Sequence, residues 1–169
     1  AINLTAIIDP KEIIIKHFLD SLVGLVATSF PQNSVVVDVG SGGGFPGIPL
    51  KIVRSDLRLI LVEPIQKKCS FLNSVIGLLK LQDVSTFCGT IEQYAKKSHS
   101  YAIDMVVVRA LKYEDIRKHL PALLTSKGKV ILYRSESIKK QEIGEEFHLV
   151  SEKYFVLPEG SGKRVVTVI

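Results

Sequence analysis

The sequence predicts an α/β protein: a mainly parallel, doubly wound sheet that ends in a C-terminal antiparallel hairpin. Three observations predict it. Through residue 134, short β-branched runs alternate with helix-patterned stretches, the order that right-handed βαβ units require. The first run carries Val35, Val36, Val37 and Val39, the near-continuous apolar pattern of a strand buried on both faces, and opens into a glycine-rich turn and a proline-led helix start. Two further β-patterned stretches, 147–154 and 164–169, are joined by L-P-E-G-S-G rather than by a helix, so they read as a closing hairpin. With no internal repeat and no linker, residues 1–169 read as a single domain, with 1–27 a helical segment packed on it.

The elements follow in order. Residues 1–8 form a short apolar stretch expected to pack on the domain. D-P-K-E at 9–12 starts a helix, with Asp9 as N-cap, Pro10 at the first helical position and Glu12 completing a capping-box-like pattern. The helix runs to about residue 27, and Ile14, Phe18, Leu22 and Leu25 fall on one face as its expected buried side. His17 and Asp20, three apart, are neighbours that form a polar surface pair or border a ligand site; their spacing alone favours the surface. Strand 34–39, a loop to 45 and helix 46–54 come next, with Pro46 and Pro49 confined to the first helical turn. Strand 58–63 ends in Glu63. Helix 66–80 is expected to turn Phe71, Leu72, Val75, Leu78 and Leu79 inward. Its first turn carries Lys67 and Lys68, the less favourable helix end for cations, so they belong to a solvated face or to a ligand or partner. Strand 84–88 leads through Gly89 and Thr90 into a short helix, and 98–100 is a loop. Strand 102–108 carries Asp104, a structural acid by position, and delivers Arg109, which is a site residue or a salt-bridged scaffold residue. A helix at 112–124, a turn at 127–129, strand 130–134 and a polar helix or loop at 135–146 complete the chain before the hairpin.

Asp38 indicates which ligand the glycine turn serves. It stands two residues before Gly40, giving D-x-G-x-G. A dinucleotide fingerprint beginning at Gly40 would need glycine where Phe45 stands, and a phosphate loop beginning at Gly42 would need Lys-Ser or Lys-Thr where Ile48 and Pro49 stand. A carboxylate at a strand end suits a cationic ligand without phosphate, and S-adenosylmethionine (SAM), an ammonium and a sulfonium, is one; an ordinary βα turn with an incidental acid is the alternative. Glu63 ends the second strand, where nucleoside-binding sheets of this kind hold ribose hydroxyls. Backbone N–H groups at 89–92 are placed to reach an adenine edge. A parallel sheet with a final antiparallel pair has the shape of a class I SAM-dependent methyltransferase, a Rossmann-like fold whose ligand lies at the carboxyl ends of the strands. The expected cofactor site is therefore Asp38, Gly40, Ser41, Gly42, Gly44, Phe45, Glu63, Thr90, Ile91, Glu92 and Arg109.

Composition narrows the classes. Apolar residues make up 46% of the 169, which suits a globular core. No apolar run approaches the roughly 20 residues of a membrane helix, and no basic-then-apolar leader is present, so a cytoplasmic protein without a membrane partner is expected. The formal charge of +5 is compatible with a polyanionic partner. Cys69 and Cys88 have no metal spacing and are expected to be reduced core or near-core residues, with no metal site. V-R-A-L at 108–111 lacks the N/D/S-P-P-Y/F loop common in amino-group methyltransferases, and neither cysteine is placed as a pyrimidine nucleophile. A site without an evident general base suits a target that is already nucleophilic, such as N7 of guanine. A non-catalytic SAM-binding module, or a methyltransferase for a small molecule or protein, fits the same residues.

N-L-T-A-I at 3–7, D-P at 9–10, K-H-F-L-D-S at 16–21 and D-V-G-S-G-G-G-F-P-G-I-P-L at 38–50 together resemble the RsmG (GidB) family of bacterial small-subunit ribosomal RNA methyltransferases. The likeness continues through Lys67, Lys68, Phe71, Leu72, Glu92, V-V-R-A at 107–110, Leu157, Pro158 and Arg164, essentially the whole chain. It implies transfer of a methyl group from SAM to N7 of a guanine in the decoding-region loop of 16S rRNA, on naked rRNA or the 30S subunit. It also implies cofactor contacts from the glycine loop, the acid after strand two and the 89–92 turn. The resemblance places Arg109 and His17 at the border of the target, with Lys67, Lys68 and Arg134 the expected RNA-facing cations of a monomer. Two positions depart from the family pattern: G-T-I-E at 89–92 replaces the usual G-R-A-E, and Tyr133-Arg134 stands where Lys-Gly is usual. Family members also carry helices ahead of N-L-T.

Overall fold

In the computed structural model, residues 9–97 and 101–169 are described. The expectations for 1–8, including the N-L-T-A-I motif, and for the loop at 98–100 lie outside these residues. Among the described residues, seven strands form one sheet. β1 (Val35–Val39), β2 (Arg58–Glu63), β3 (Val84–Cys88), β4 (Ile103–Arg109) and β5 (Leu124–Arg134) pair in parallel. β7 (Lys163–Val168) lies antiparallel between β5 and β6 (Ser151–Val156). The order β3-β2-β1-β4-β5-β7-β6 puts the reversal of winding between β1 and β4, whose carboxyl ends open the crevice in which such folds bind ligands.

The valine-rich runs are buried on both faces, as their continuous apolar pattern requires. Val37, Val39, Ile60, Val62, Val106 and Val108 pack on one side with Tyr113, Ile116 and Leu120. Val36, Leu59, Leu61, Met105 and Val107 pack on the other with Val23, Ala27, Ile48, Leu50 and Leu72. The period-two alternation thus splits each strand between two cores. Asp104 is structural as expected: its Oδ2 accepts the Val35 N–H at 2.9 Å.

The helices depart from the sequence reading in three places. First, α1 (Pro10–Ile13) leads through a π-helical stretch (Ile14–Leu19) into α2 (Asp20–Ala27). Asp9 caps it as expected, its Oδ1 accepting from the Lys11 and Glu12 N–H groups at 2.8 and 2.9 Å. The buried face, however, is Ile15, Asp20, Ser21, Val23, Gly24 and Ala27, while Ile14 is 60% and Phe18 39% exposed. The wider π turn rotates the later helix relative to the 3.6-residue pattern. Gly24 then permits contact with the sheet, since a Cβ there would lie 2.1 Å from Tyr133 Oη.

Second, α4 (Gln66–Leu78) buries Cys69 and Leu72 but leaves Phe71 and Val75 half-buried and Leu78 82% exposed, because it covers the β3 edge of the sheet. Cys88, at the end of that edge strand, is exposed rather than near-core; Cys69 is buried, and both are free thiols. Third, the helix expected at 112–124 is only α6 (Tyr113–Ile116) followed by a 3₁₀ turn (Arg117–His119). Pro121 cannot donate to the helical ladder and biases the preceding residue away from α, so the helix stops short. β5 already begins at Leu124, and the expected turn at 127–129 lies inside it, where the register to β4 shifts between Ile103 and Met105. The polar segment after β5, expected as a helix or loop, contains one short helix, α7 (Lys140–Ile143). The remaining helices, α3 (Gly47–Val53) and α5 (Ile91–Ala95), stand close to their expected bounds. No helix among the described residues is long and apolar enough to cross a membrane.

Candidate functional site

The carboxyl ends of β1, β2 and β4 build the site. After Val39 the chain turns through Gly40 (φ +74°), Gly42 (φ +56°) and Gly44 (φ +94°), a left-handed path that side chains rarely follow. The turn is tied to β2: the Gly40 and Ser41 N–H groups donate to Val62 O at 2.8 and 3.2 Å. Glu63, buried at the end of β2, clamps it from the side, its Oε2 accepting from Gly42 N–H at 2.9 Å and its Oε1 from Ile65 N–H at 3.0 Å. Asp38 holds it from behind. Its Oδ2 accepts from Gly47 N–H at 2.9 Å, while Oδ1 is buried with no hydrogen-bond partner among the described residues. Burial raises the Asp38 pKa to about 7, against the opposing influence of the Gly47 hydrogen bond and the Arg109 charge.

Two cavities open at these strand ends. The smaller, about 650 Å³, is lined by Gly40, Ser41, Gly42, Phe45, Glu63 and a largely apolar wall that includes Phe18, Ile48, Ile65 and Phe71. The larger, about 1030 Å³, is lined by charged residues from several elements, among them Lys16, Asp20, Arg134, Glu142 and Arg164. His17, Arg109, Ala110 and Leu111 belong to both, so they form the wall between the cavities.

Arg109 organises that wall. Its Nη1 lies 3.2 Å from Asp20 Oδ2 and 3.4 Å from Lys16 O, and its Nη2 lies 3.4 Å from His17 Nδ1. The guanidinium carbon stands 5.3 Å from the centroid of the Phe45 ring. His17 stacks on the same ring, with centroids 5.0 Å apart and planes at 25°, and Phe18 meets it edge-on at 5.2 Å. Burial, then the Arg109 charge, lowers the His17 pKa from its ordinary 6.5, so the ring is neutral at pH 7 and Nδ1 can accept from Arg109. Asp20 is fully buried and also holds Arg164, with Nε to Oδ1 at 2.6 Å and Nη2 to Oδ2 at 2.8 Å.

The structure thus brings together six of the expected residues, Gly40, Ser41, Gly42, Phe45, Glu63 and Arg109, on one cavity wall, with His17 beside them. Five lie elsewhere. Asp38 sits behind the loop. Gly44 faces the core, where a Cβ would come within 2.4 Å of Ile48 Cδ1. Thr90 caps α5, its Oγ1 accepting from Gln93 N–H at 3.2 Å; Ile91 is buried in the core, and exposed Glu92 pairs with Lys96 at 2.8 Å. These three are not among the residues that line the two cavities. Lys68 lines the smaller cavity, Lys67 is exposed one residue away, and Arg134 lines the larger cavity with Nη2 paired to Glu142 at 2.8 Å. The His17–Asp20 pair is no surface pair: Asp20 is fully buried and His17 stands in the shared wall. The pairing of Arg164 with Asp20 and the burial of Asp20 escape sequence reasoning, since the two residues meet across 144 positions. The one local signal is Gly24, a helical glycine four residues after Asp20 that marks the face pressed against the sheet.

The family model of rRNA small subunit methyltransferase G, GidB, matches residues 1–161. Ribosomal RNA small subunit methyltransferase G of Staphylococcus epidermidis (strain ATCC 12228 / FDA PCI 1200) is 34% identical over 175 residues, covering 99% of this chain and 73% of that protein. The protein of the same name from Clostridium botulinum (strain Loch Maree / Type A3) is 43% identical over 111 residues, covering 65% of this chain and 46% of that protein. The chain thus spans about half the length of several curated relatives it matches. Among solved structures, TrmN from Thermus thermophilus superposes with a TM-score of 0.71 at 15% identity, covering 89% of this chain and 47% of that one. M. capricolum TrmK, solved with S-adenosylhomocysteine, superposes with a TM-score of 0.67 at 14% identity, covering 90% and 67%. Those structural likenesses establish the class I methyltransferase fold. The match over nearly all of its length establishes the family: the chain belongs to the rRNA small subunit methyltransferase G (GidB) family.

Proposed function

We propose that this chain carries the cofactor and target clefts of a SAM-dependent methyltransferase that modifies N7 of a guanine in the decoding-region loop of 16S rRNA. The observation that carries the reading is the shared wall: two cavities at the carboxyl ends of the strands, separated only by His17, Arg109, Ala110 and Leu111. A donor in one cavity and an acceptor in the other would be lined by the same four residues.

The smaller cavity fits the cofactor. A Cβ on Gly42 would find no neighbour closer than Gly40 O at 3.8 Å, so bare backbone faces open space where a ligand can approach. Its volume lies within the ordinary range for such ligands, and its lining is mainly apolar with a few fixed polar groups. Glu63 and the glycine-turn backbone would hold the cofactor, and Phe45, Phe18 and Ile65 would exclude water around it. SAM, when bound, supplies an electrophilic methyl group on a sulfonium. Guanine N7 carries a lone pair and no proton, so the chain needs to position and electrostatically accommodate the target rather than deprotonate it. The neutral His17 ring stacked on Phe45 and the Arg109 guanidinium supply fixed surfaces for that positioning. Lys67, Lys68 and Arg134 would meet RNA phosphates, in keeping with the net charge of +5. The substrate is 16S rRNA in naked form or in the 30S particle, met in the cytoplasm by a monomer.

Methyl transfer from labelled SAM to 30S subunits and naked 16S rRNA, taken from cells lacking the modification, tests the proposal. Label at one decoding-region guanine, mapped by cleavage at N7-methylguanine, is the expected result. Label at another atom or molecule, or none with SAM binding confirmed by calorimetry, would overturn it.

A further inference from the structure

We propose that Asp20 is a positioning residue: its carboxylate fixes the Arg109 guanidinium across the wall between the two cavities, and Arg164 fixes Asp20 in turn. The inference rests on the reading of that wall as the meeting point of cofactor and target. Asp20 lies on the helix that follows the π-helical stretch and is fully buried. Arg164, at the start of β7, grips both of its oxygens in a fork of 2.6 and 2.8 Å. A fork of this kind fixes the plane of the carboxylate as well as its position. Oδ2 then offers its remaining capacity to Arg109 Nη1 at 3.2 Å. The other polar contacts of the Arg109 guanidinium, Lys16 O and His17 Nδ1, are longer at 3.4 Å and carry no formal charge, so Asp20 is the anchor that sets its direction. All three come from residues 16–20, and π turns of this kind recur at functional sites.

Charge supports the same assignment. Arg109 stands against the Phe45 ring and the shared wall, with only 13% of its side chain exposed. Methylation at N7 places a positive charge on the guanine, and an uncompensated guanidinium beside it would oppose the transfer. The Asp20 carboxylate, shared between two guanidiniums, offsets part of that charge while leaving Arg109 its donors. A purely structural account, in which Asp20 only docks the helix on β7, explains the Arg164 fork but assigns no consequence to the bond with Arg109.

The test compares Asp20→Asn with Val23→Ala, a truncation on the same helix of a residue in the hydrophobic core. Three quantities are read: SAM affinity by calorimetry, saturating turnover on 30S subunits, and solvent exchange of the Arg109 side-chain N–H in ¹⁵N NMR. In D20N, turnover is expected to fall by about 10- to 100-fold, as misplacement of a catalytic surface by about 1 Å does, with SAM affinity changed by less than about threefold and Arg109 exchange accelerated. V23A is expected to lower thermal stability while keeping turnover and Arg109 exchange near wild type. Equal turnover losses in D20N and V23A, or unaltered Arg109 exchange in D20N, would overturn the proposal. Should D20N fail to fold, Arg164→Gln removes the fork and is expected to accelerate Arg109 exchange; unaltered exchange there overturns it as well. Absence of transfer by the wild-type protein would count against the proposed reaction, whereas the exchange measurement would still decide whether Asp20 holds Arg109.

Discussion

Replacing Asp38 by Asn should change how stability depends on pH, and by an amount the surroundings of Asp38 set. The side chain is fully buried behind the glycine turn, with one oxygen accepting from Gly47 N–H at 2.9 Å and the other without a partner among the described residues. Burial raises its pKa to about 7, whereas an unfolded Asp titrates near 3.9. Between those values the folded protein retains a proton that the unfolded chain has lost. Folding stability therefore falls as pH rises through this window and levels off above the folded value. At about 1.4 kcal/mol per pH unit, Asp38 removes about 2.5 kcal/mol between pH 5 and pH 8. Asn keeps an acceptor for Gly47 N–H and is neutral throughout, so D38N does not suffer this loss.

Urea unfolding of both proteins at pH 5, 6, 7 and 8 measures the effect. The observable is the difference between them, because His17 acts in the opposite sense. Its folded pKa is lowered, so its contribution is present above its ordinary value of 6.5 and is lost as pH falls. That contribution is common to both proteins and cancels in the difference. The stability of D38N relative to wild type should rise by about 2.5 kcal/mol from pH 5 to pH 8. A difference that stays flat within about 0.5 kcal/mol would refute the reasoning that Asp38 is buried without adequate compensation.

Three further outcomes follow from the same geometry. Glu63→Ala leaves the Gly42 and Ile65 N–H groups without their acceptor, and SAM affinity should weaken by about 1–3 kcal/mol in calorimetry; unchanged affinity would remove Glu63 from the cofactor site. Gly42→Ala and Gly44→Ala should separate binding from folding. Both substitutions carry the strain of a positive φ, but the Gly42 Cβ enters open space while the Gly44 Cβ lies 2.4 Å from Ile48 Cδ1, so Gly44→Ala should destabilise by about 1–3 kcal/mol more than Gly42→Ala in urea titration while Gly42→Ala lowers cofactor affinity, and the reverse ranking would contradict the placement of the two glycines. Neutralising Lys67 and Lys68 to Gln should reduce the slope of log affinity against log salt for RNA by about 0.7–0.9 for each phosphate that the lysines had neutralised, and an unaltered slope would place both lysines off the RNA surface.

What the sequence makes legible is whatever is local in it. The apolar run at β1, the glycine turn and the acid ending β2 occupy short stretches whose pattern has one simple reading, and the structure brings Gly40, Gly42 and Glu63 onto one wall. The helix expected at 112–124 overruns its true end because apolar spacing continues past Pro121 while the backbone ladder cannot. The N-terminal helix buries a different face from the one its periodicity predicts because a π turn leaves no mark in a 3.6-residue pattern. Arg164 is illegible for a different reason: its meaning depends on Asp20, and nothing in either neighbourhood points to the other.

The three buried acids of the site sharpen this distinction. Asp20, Asp38 and Glu63 are each a single carboxylate beside apolar residues, and the chain marks no difference in kind among them. In the fold, Asp20 receives two guanidiniums, Glu63 two backbone N–H groups and Asp38 one backbone N–H. For Asp38, full burial outweighs the Gly47 hydrogen bond and the Arg109 charge, and its pKa is raised to about 7. Donor count is a property of tertiary contact. The sequence therefore shows where the acids stand along the chain, while the convergence of β2, β4, β7 and the N-terminal helix determines what each acid does.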